Sequence, residues 1–182
     1  MPWYCLFCKA GQENNVMRML EERGAMPLAP LAVHVRAGAK KSERTRQRLL
    51  PGYVFFEQAE EPDWMGIIRY SSVLKILHYQ DETPELRGAD LEFVRWLKAH
   101  EGIIDVSEVV KVGTKIAFVS GPLVGMEARV LKVNRSRRQV QVSVGEEGAL
   151  FHTIWCTIEY IQDNMDPELL QRRAPGDENK VQ

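Results

Sequence analysis

Cysteine and histidine are among the side chains of this sequence that could bind a metal ion or act in catalysis. Cys5 and Cys8 form a C-x-x-C pair, which is half of a tetrahedral zinc site, but no second pair completes it. On a strand their side chains would also point to opposite faces. The four histidines are scattered: His34, His78, His100 and His152. No phosphate-binding loop or nucleophile elbow is present, so we expect free cysteines, no metal or other cofactor, and no enzymatic activity.

Positively charged side chains form two concentrated stretches that could bind the phosphates of a nucleic acid. Residues 110–145 contain seven basic residues and one acidic residue, and residues 36–48 are also basic. From these stretches we select as nucleic-acid contacts Lys40, Lys41, Arg44, Lys111, Lys132, Arg135, Arg137 and Arg138. The alternative is that such runs are solvated loops without a specific partner. The net charge of −1 argues against binding through bulk positive charge alone.

An aromatic strand is the second candidate binding element. Tyr53 and Phe55 alternate on one side of the predicted strand, while Val54 and Phe56 can fill a core from the other side. This spacing allows the first pair to contact a partner protein. The alternative is that all four side chains are core, because aromatic strands are usually buried.

Apolar periodicity predicts an α+β domain over residues 1–101. Strands are expected at 3–8, 32–36, 53–57 and 73–79, and helices near 13–24, 64–70 and 90–100. Asp90 is the predicted N-cap of the last helix. The element order β, α, β, β, α, β, α predicts an antiparallel-rich sheet with helices packed on one side. The basic stretch up to Arg48 has no apolar period, which predicts a long exposed loop.

The second half of the chain changes to a period of two. Residues 102–112 are predicted to be a short linker, and residues 113–162 a small β-barrel in which Val140, Val142 and Val144 point inward. Residues 134–138 have the composition of a hairpin tip and would present three arginines at one end of the barrel. Residues 163–182 are polar and are predicted to be a disordered tail.

Length and composition agree with two small domains. The chain has 182 residues, of which 45% are hydrophobic. It contains no run of about 18 apolar residues that would span a membrane and no N-terminal secretion signal. Three cysteines are an odd number, which suits a reducing compartment. We therefore expect a cytoplasmic monomer that does not bind membranes.

Two groups of motifs resemble a known family. Trp3-Tyr4, residues 9–13 (KAGQE) and residues 51–56 (PGYVFF) resemble the N-terminal (NGN) domain of NusG-like transcription elongation factors. Residues 121–125 (GPLVG) followed by 130–133 (VLKV) resemble a KOW motif, which forms an SH3-like β-barrel. The resemblance implies an NGN domain at 1–101 and a KOW barrel at 113–162.

The resemblance also implies roles for particular residues. In NusG-like proteins the strand that matches Tyr53 and Phe55 contributes to an exposed apolar patch, which docks on the clamp helices of bacterial RNA polymerase. Trp3 and Phe7 on the neighbouring strand would extend this patch. The residue that matches Lys9 contacts displaced single-stranded DNA in the specialised paralogue RfaH, so Lys9 joins the nucleic-acid contacts. The usual polar contact to the opposing polymerase pincer is in doubt, because residues 65–67 read Met-Gly-Ile here.

The start of the chain and the short linker look most like the specialised antiterminators RfaH and LoaP. Ala128 replaces the usual third glycine of the KOW motif. This indicates that the backbone at this position is not left-handed. The function implied is processive antitermination at selected operons. The NGN domain would hold the polymerase clamp closed, and the KOW domain would bind a leader RNA hairpin or a second factor.

Two alternatives stay open. Within the family, the chain could be a housekeeping elongation factor whose KOW domain binds the termination factor Rho or a ribosomal protein. Outside it, the chain could be a ribosome-associated KOW protein that binds RNA, although such proteins are usually strongly basic. Tyr53 and Phe55 distinguish the ribosome-associated alternative from a polymerase-binding factor, because a ribosomal protein needs no polymerase patch.

Overall fold

The structure is a computed structural model that describes residues 1–37, 42–113 and 115–161. The elements up to residue 100 are β1 (Trp3–Cys8), α1 (Glu13–Glu21), β2 (Met26–Leu28), β3 (Leu31–Ala37), β4 (Ser42–Arg48), β5 (Tyr53–Glu57), α2 (Trp64–Ile68), β6 (Val73–Ile76) and α3 (Gly88–Ala99). They are followed by β7 (Ile103–Ile104), β8 (Ser107–Val112), β9 (Lys115–Ser120), a 3₁₀ turn (Glu127–Arg129), β10 (Val130–Asn134), β11 (Gln139–Ser143) and β12 (Thr153–Tyr160). The fold is mixed α+β, as predicted. Across the described ranges, no helix is both long and apolar enough to cross a membrane.

A four-stranded antiparallel sheet in the order β2-β5-β1-β6 organises the first half. Its two faces bury different side chains because successive side chains of a strand point to opposite faces of the sheet. Val54 and Phe56 belong to one core cluster, and Tyr53 and Phe55 pack in the other. The predicted sidedness of β5 is therefore confirmed.

Helices cover both faces of this sheet. Val16 and Leu20 of α1 pack in the cluster that contains Val54, whereas Phe93 and Leu97 of α3 pack in the cluster that contains Phe55. The expectation of helices on one side only is wrong. The physical reason is that β1 and β5 are apolar on both faces, so each face requires a cover.

The basic stretch predicted as a loop is largely a strand. β4 pairs with β3 along its whole length, from Leu31 opposite Arg48 to Ala37 opposite Ser42. It is the outer strand of a three-stranded sheet in the order β4-β3-β7. Most of its side chains face solvent, so it has no apolar period to reveal it. Lys40 and Lys41 lie outside the described residues.

A curled five-stranded sheet in the order β10-β11-β12-β8-β9 forms the second half. Val140 and Val142 of β11 are fully buried, which confirms the predicted alternation, and residues 135–138 form the predicted turn between β10 and β11. Within the described residues, the outer strands β9 and β10 do not pair with each other, so the sheet is a half-barrel. Closure into an SH3-like barrel stays a prediction.

The segment expected to be a linker, residues 102–112, contains two paired strands. β7 pairs in parallel with β3 of the first half, and β8 pairs with β12 and β9 of the second. Val109 and Val110 are buried, which explains why the segment is not free. Ala128 lies in the 3₁₀ turn, where the backbone is right-handed, so alanine fits at this departure from the KOW pattern. The predicted tail, residues 163–182, lies outside the described residues.

Candidate binding surfaces

The four aromatic residues selected from the sequence lie on one face of the first sheet. β1 and β5 are antiparallel neighbours, and their register places Phe7 opposite Tyr53. These two rings are 5.0 Å apart between centroids, and both side chains are half-buried. Trp3 and Phe55 lie further along the same two strands and are buried. We call this set, Trp3, Phe7, Tyr53 and Phe55, the aromatic face.

Phe151 of the second half covers the aromatic face. Its ring centroid lies 5.5 Å from that of Tyr53 and 5.1 Å from that of Phe55. It also lies 5.9 Å from Phe93 of α3, so one aromatic ring contacts three. The expectation that Tyr53 and Phe55 form an exposed patch is therefore wrong for this conformation, because Phe151 packs on both rings and Phe93 of α3 also packs on Phe55. Their role in binding polymerase stays a prediction.

Asp90 holds Phe151 in place. Its carboxylate accepts hydrogen bonds from the backbone N–H of Phe151 at 3.0 Å and from that of Leu150 at 2.9 Å. Asp90 is also 1% exposed, so these bonds replace the water that the charge has lost. The N-cap prediction was wrong: α3 begins at Gly88, with Arg87 at the N-cap position. Asp90 in the first turn instead joins the two halves.

Tyr79 completes this connection. Its hydroxyl donates a hydrogen bond of 2.8 Å to Asp90 and accepts one of 3.0 Å from the backbone N–H of Arg87. Burial, together with the hydrogen bond and charge of Asp90, raises the pKa of Tyr79 to about 12. The phenol therefore keeps its proton at neutral pH and remains a donor to the carboxylate. The guanidinium of Arg87 lies 4.4 Å above the Tyr79 ring, which adds a cation–π contact.

Glu13 and Gly52 position the start of β5. Glu13 accepts a 2.8 Å hydrogen bond from the backbone N–H of Gly52, whose φ is +84°. A β-carbon at Gly52 would lie 2.8 Å from the ring of Phe7, so this turn requires glycine for space as well as for conformation. Burial alone would raise the pKa of Glu13. The backbone hydrogen bonds and the nearby charge of Arg48 outweigh burial, and the pKa is lowered.

The basic residues selected from the sequence are exposed where the structure describes them: Lys9, Arg44, Lys111, Lys132, Arg135, Arg137 and Arg138. The last three share the turn after β10, and Lys132 precedes them on that strand. Lys9 follows β1 and Arg44 lies on β4, where its guanidinium is 3.8 Å from the Asp105 carboxylate. We call residues 135–138 the arginine turn. Lys132 lies close before it on β10.

The arginine turn has a defined backbone. The side-chain oxygen of Asn134 accepts hydrogen bonds from the backbone N–H of Arg137 at 3.1 Å and from the hydroxyl of Ser136 at 2.9 Å. Arg138 adopts a left-handed φ of +51°, and its carbonyl accepts a 2.9 Å bond from the N–H of Ile158. These contacts limit the conformations of the turn, so its cations are presented at a fixed place.

Three residues that matter for these surfaces were missed from the sequence: Asp90 as a link, Phe151 and Trp155. The partners of Asp90 and Phe151 come from distant parts of the chain, so no local pattern reveals them. Trp155 had a usable signal, because Ile154 and Cys156 on either side of it point into the core. Its exposed fraction is 37%.

The three cysteines are free and buried, as expected. Cys5 and Cys8 belong to different core clusters, on opposite faces of the sheet. Burial raises the pKa of Cys156 to about 12, so this thiol is protonated at neutral pH. Among the residues that the structure describes, no group of three or more His, Cys, Asp and Glu side chains could hold a metal ion.

Comparisons with known proteins identify the family. A solved structure of Thermotoga maritima NusG, described as showing domain interaction, is similar to this chain with 20% identity and a TM-score of 0.45. The similarity covers 86% of this chain and 93% of that one. A search of curated protein sequences found no match. The family described as transcription termination factor NusG matches residues 1–95, which is more than half of the 182 residues. The chain therefore belongs to the NusG family of transcription elongation and termination factors.

Proposed function

We propose that this protein is an elongation regulator that docks on RNA polymerase through its aromatic face and promotes processive antitermination at selected operons. The observation that carries the proposal is the pairing of Phe7 with Tyr53 at the rim of an apolar face that Phe151 covers. An apolar face of this kind, once it is uncovered, is typical of a protein-binding site. Residues 1–101 would act as the NGN domain, and residues 113–162 would act as the KOW barrel.

Docking on the clamp helices requires that the second half leave the aromatic face. Polymerase and Phe151 would compete for the same side chains, so the apparent affinity equals the intrinsic affinity multiplied by the fraction of open molecules. The hydrogen bonds that Asp90 accepts from the backbone N–H groups of Leu150 and Phe151 lower that fraction. The protein is therefore expected to bind polymerase weakly until a second ligand separates the two halves.

Stabilisation of the closed clamp is enough for antitermination, and no catalytic step is required. A ligand shifts a conformational equilibrium by its difference in affinity for the two states. A difference of about 1.4 kcal/mol would change the open fraction of the clamp tenfold. Pausing and termination, which depend on clamp opening in this proposal, would then become less frequent.

The second half would supply a nucleic-acid contact. The arginine turn and Lys132 are exposed, close in sequence and without acidic residues between them, so they could neutralise the phosphates of a leader RNA. RNA held there would raise the local concentration of the factor near polymerase without new protein contact area. Lys9 is placed on the first half, where it would contact the displaced DNA strand.

A housekeeping role is the alternative within the family. In that case the second half would bind Rho or a ribosomal protein, and termination would stay constant or increase. A ribosome-associated RNA-binding protein is the alternative from another class, and it would not need the aromatic face at all. These roles predict different effects of the same substitution.

Single-round transcription through an intrinsic terminator tests the proposal, with purified bacterial RNA polymerase and a candidate leader. We expect read-through to rise with the wild type and to be lost in Tyr53→Ala. Tyr70→Ala is the matched control, because Tyr70 is also half-buried but packs on the opposite face of the sheet. If wild type leaves termination unchanged, or if the two variants behave alike, antitermination through the aromatic face is wrong.

A further inference from the structure

A row of three side chains crosses the outer surface of the second sheet. Lys132 on β10 is opposite Gln141 on β11, and Gln141 is opposite Trp155 on β12. Val140 and Val142 beside Gln141 are buried, so the row points away from the core. The indole of Trp155 is exposed, although indoles usually pack in a core or at an interface.

The surroundings of Trp155 are polar and cationic. Trp155 lines an open cavity of about 250 Å³ together with Asn134, Arg137 and Gln139. The cavity therefore combines one aromatic surface with a guanidinium and two amides, and none of its lining residues is acidic. An apolar protein partner would leave these polar groups without hydrogen bonds, which is costly. A ligand with a flat ring, polar edges and negative charge satisfies all of them.

We propose that Trp155 is a stacking platform for an unpaired base of single-stranded RNA, with Arg137 and Lys132 on the adjoining phosphates. This inference rests on the proposed RNA binding of the second half and names the base contact within it. Every base has a ring face, so stacking tolerates sequence, whereas a base inside a duplex is already stacked and is not available. Unpaired nucleotides in a loop are therefore the substrate class.

Two amides beside the indole, Asn134 in the cavity and Gln141 opposite Trp155 on β11, can read the edge of the stacked base. The Gln141 amide nitrogen donates a 3.1 Å hydrogen bond to the hydroxyl of Thr153, which fixes the orientation of that side chain. Asn134 is likewise fixed by the turn that it caps. Side chains held in one orientation lose less entropy on binding than mobile ones. The site is thus preorganised for a planar polar ligand.

Fluorescence anisotropy on the full chain tests this inference. The probes are labelled oligouridine of about ten nucleotides, a length within the usual span of single-strand sites, and an RNA duplex of equal length. We expect Trp155→Ala to weaken oligouridine binding about tenfold and to leave the salt dependence unchanged, because stacking involves no charge. Trp155→Phe should retain most of the affinity. Leu131→Ala is the control, because Leu131 is 60% exposed on the same sheet and should bind like wild type.

The possible failures are distinguishable. If wild type binds oligouridine and Trp155→Ala binds within about twofold of it, the platform is wrong while RNA binding by the second half stands. If Trp155→Ala weakens duplex and single-strand binding equally, the effect is not base stacking and the inference is overturned. If wild type binds neither probe, both the inference and the proposed RNA contact are wrong.

Discussion

Asp90 and Phe151 are joined across the two halves of the molecule by a 3.0 Å hydrogen bond from the Phe151 backbone N–H to the Asp90 carboxylate. Replacing Asp90 with asparagine leaves the shape unchanged but puts an N–H₂ group against a backbone donor. We expect Asp90→Asn to lower the free energy of unfolding by about 1.5 to 3 kcal/mol, the usual worth of a hydrogen bond to a charged group. Amide exchange at Phe151 should accelerate at the same time.

The control for that substitution is Glu92→Gln, because Glu92 lies on the same helix with a side chain that is 76% exposed. It should leave both stability and exchange unchanged. Equal exchange at Phe151 in Asp90→Asn and wild type would show that the carboxylate does not hold the two halves together.

Stability at alkaline pH depends on Tyr79. Its pKa is raised from 10.0 to about 12 in the folded protein, so between these values the folded state holds a proton that the unfolded state has released. Stability is therefore fully present below about pH 10 and is lost as the pH rises towards about 12. Tyr79→Phe should show a shallower loss over this range in urea unfolding experiments. An identical slope for the two proteins would exclude Tyr79 as the source.

Stability at acid pH depends on Glu13, whose pKa is lowered from 4.5. The contribution of this carboxylate is present above that value and disappears as the pH falls through the folded-state pKa. Glu13→Gln should lower stability at pH 7 by about 1 to 2 kcal/mol and flatten the acid-side decline. Glu21→Gln, at an exposed position of the same helix, should match wild type. A decline as steep in Glu13→Gln as in wild type would assign the effect to other carboxyls.

The salt dependence of RNA binding should show how many phosphates the arginine turn contacts. If Arg135, Arg137 and Arg138 each contact one phosphate, their joint replacement by alanine removes three charges. The slope of log affinity against log salt should then become shallower by about 2 for a single strand. The control is Arg18→Ala, at an exposed position of α1, the helix that packs on the face of the first sheet opposite the aromatic face. This variant should keep the wild-type slope. Unchanged affinity and slope in the triple variant would place the phosphate contacts elsewhere.

The sequence predicted the elements whose side chains alternate clearly. Val140 and Val142 in β11, and Val54 and Phe56 in β5, follow a period of two that survives folding. β4 was missed because its outward side chains and its edge position leave no apolar period. β8, inside the segment expected to be a linker, was missed because its pairing partners β9 and β12 lie further along the chain.

The cover on the aromatic face could not be read from the sequence. Phe55 was expected to be exposed, but its ring packs against Phe93 of α3 and against Phe151, which is nearly a hundred positions away. Asp90 has the sequence context of an N-cap, yet its carboxylate accepts hydrogen bonds from Tyr79 and from residues 60 and 61 positions further along the chain. These contacts between the two halves are made by the single side chains Asp90 and Phe151, and such contacts have no periodic signature.

Competition between Phe151 and polymerase for the aromatic face is tested by the affinity of the full chain for RNA polymerase, measured for wild type, Phe151→Ala and Phe151→Ala/Tyr53→Ala. Removing the buried Phe151 ring, a change that typically costs about 3 to 5 kcal/mol of folding stability, should weaken the contact between the halves and uncover the aromatic face. We expect Phe151→Ala to bind polymerase more tightly than wild type, and we expect the added Tyr53→Ala to abolish the gain. Phe118→Ala, which empties a buried position in the second sheet, should not bind more tightly. Equal or weaker binding by Phe151→Ala, or a gain that persists without Tyr53, would show that Phe151 and polymerase do not compete for the aromatic face.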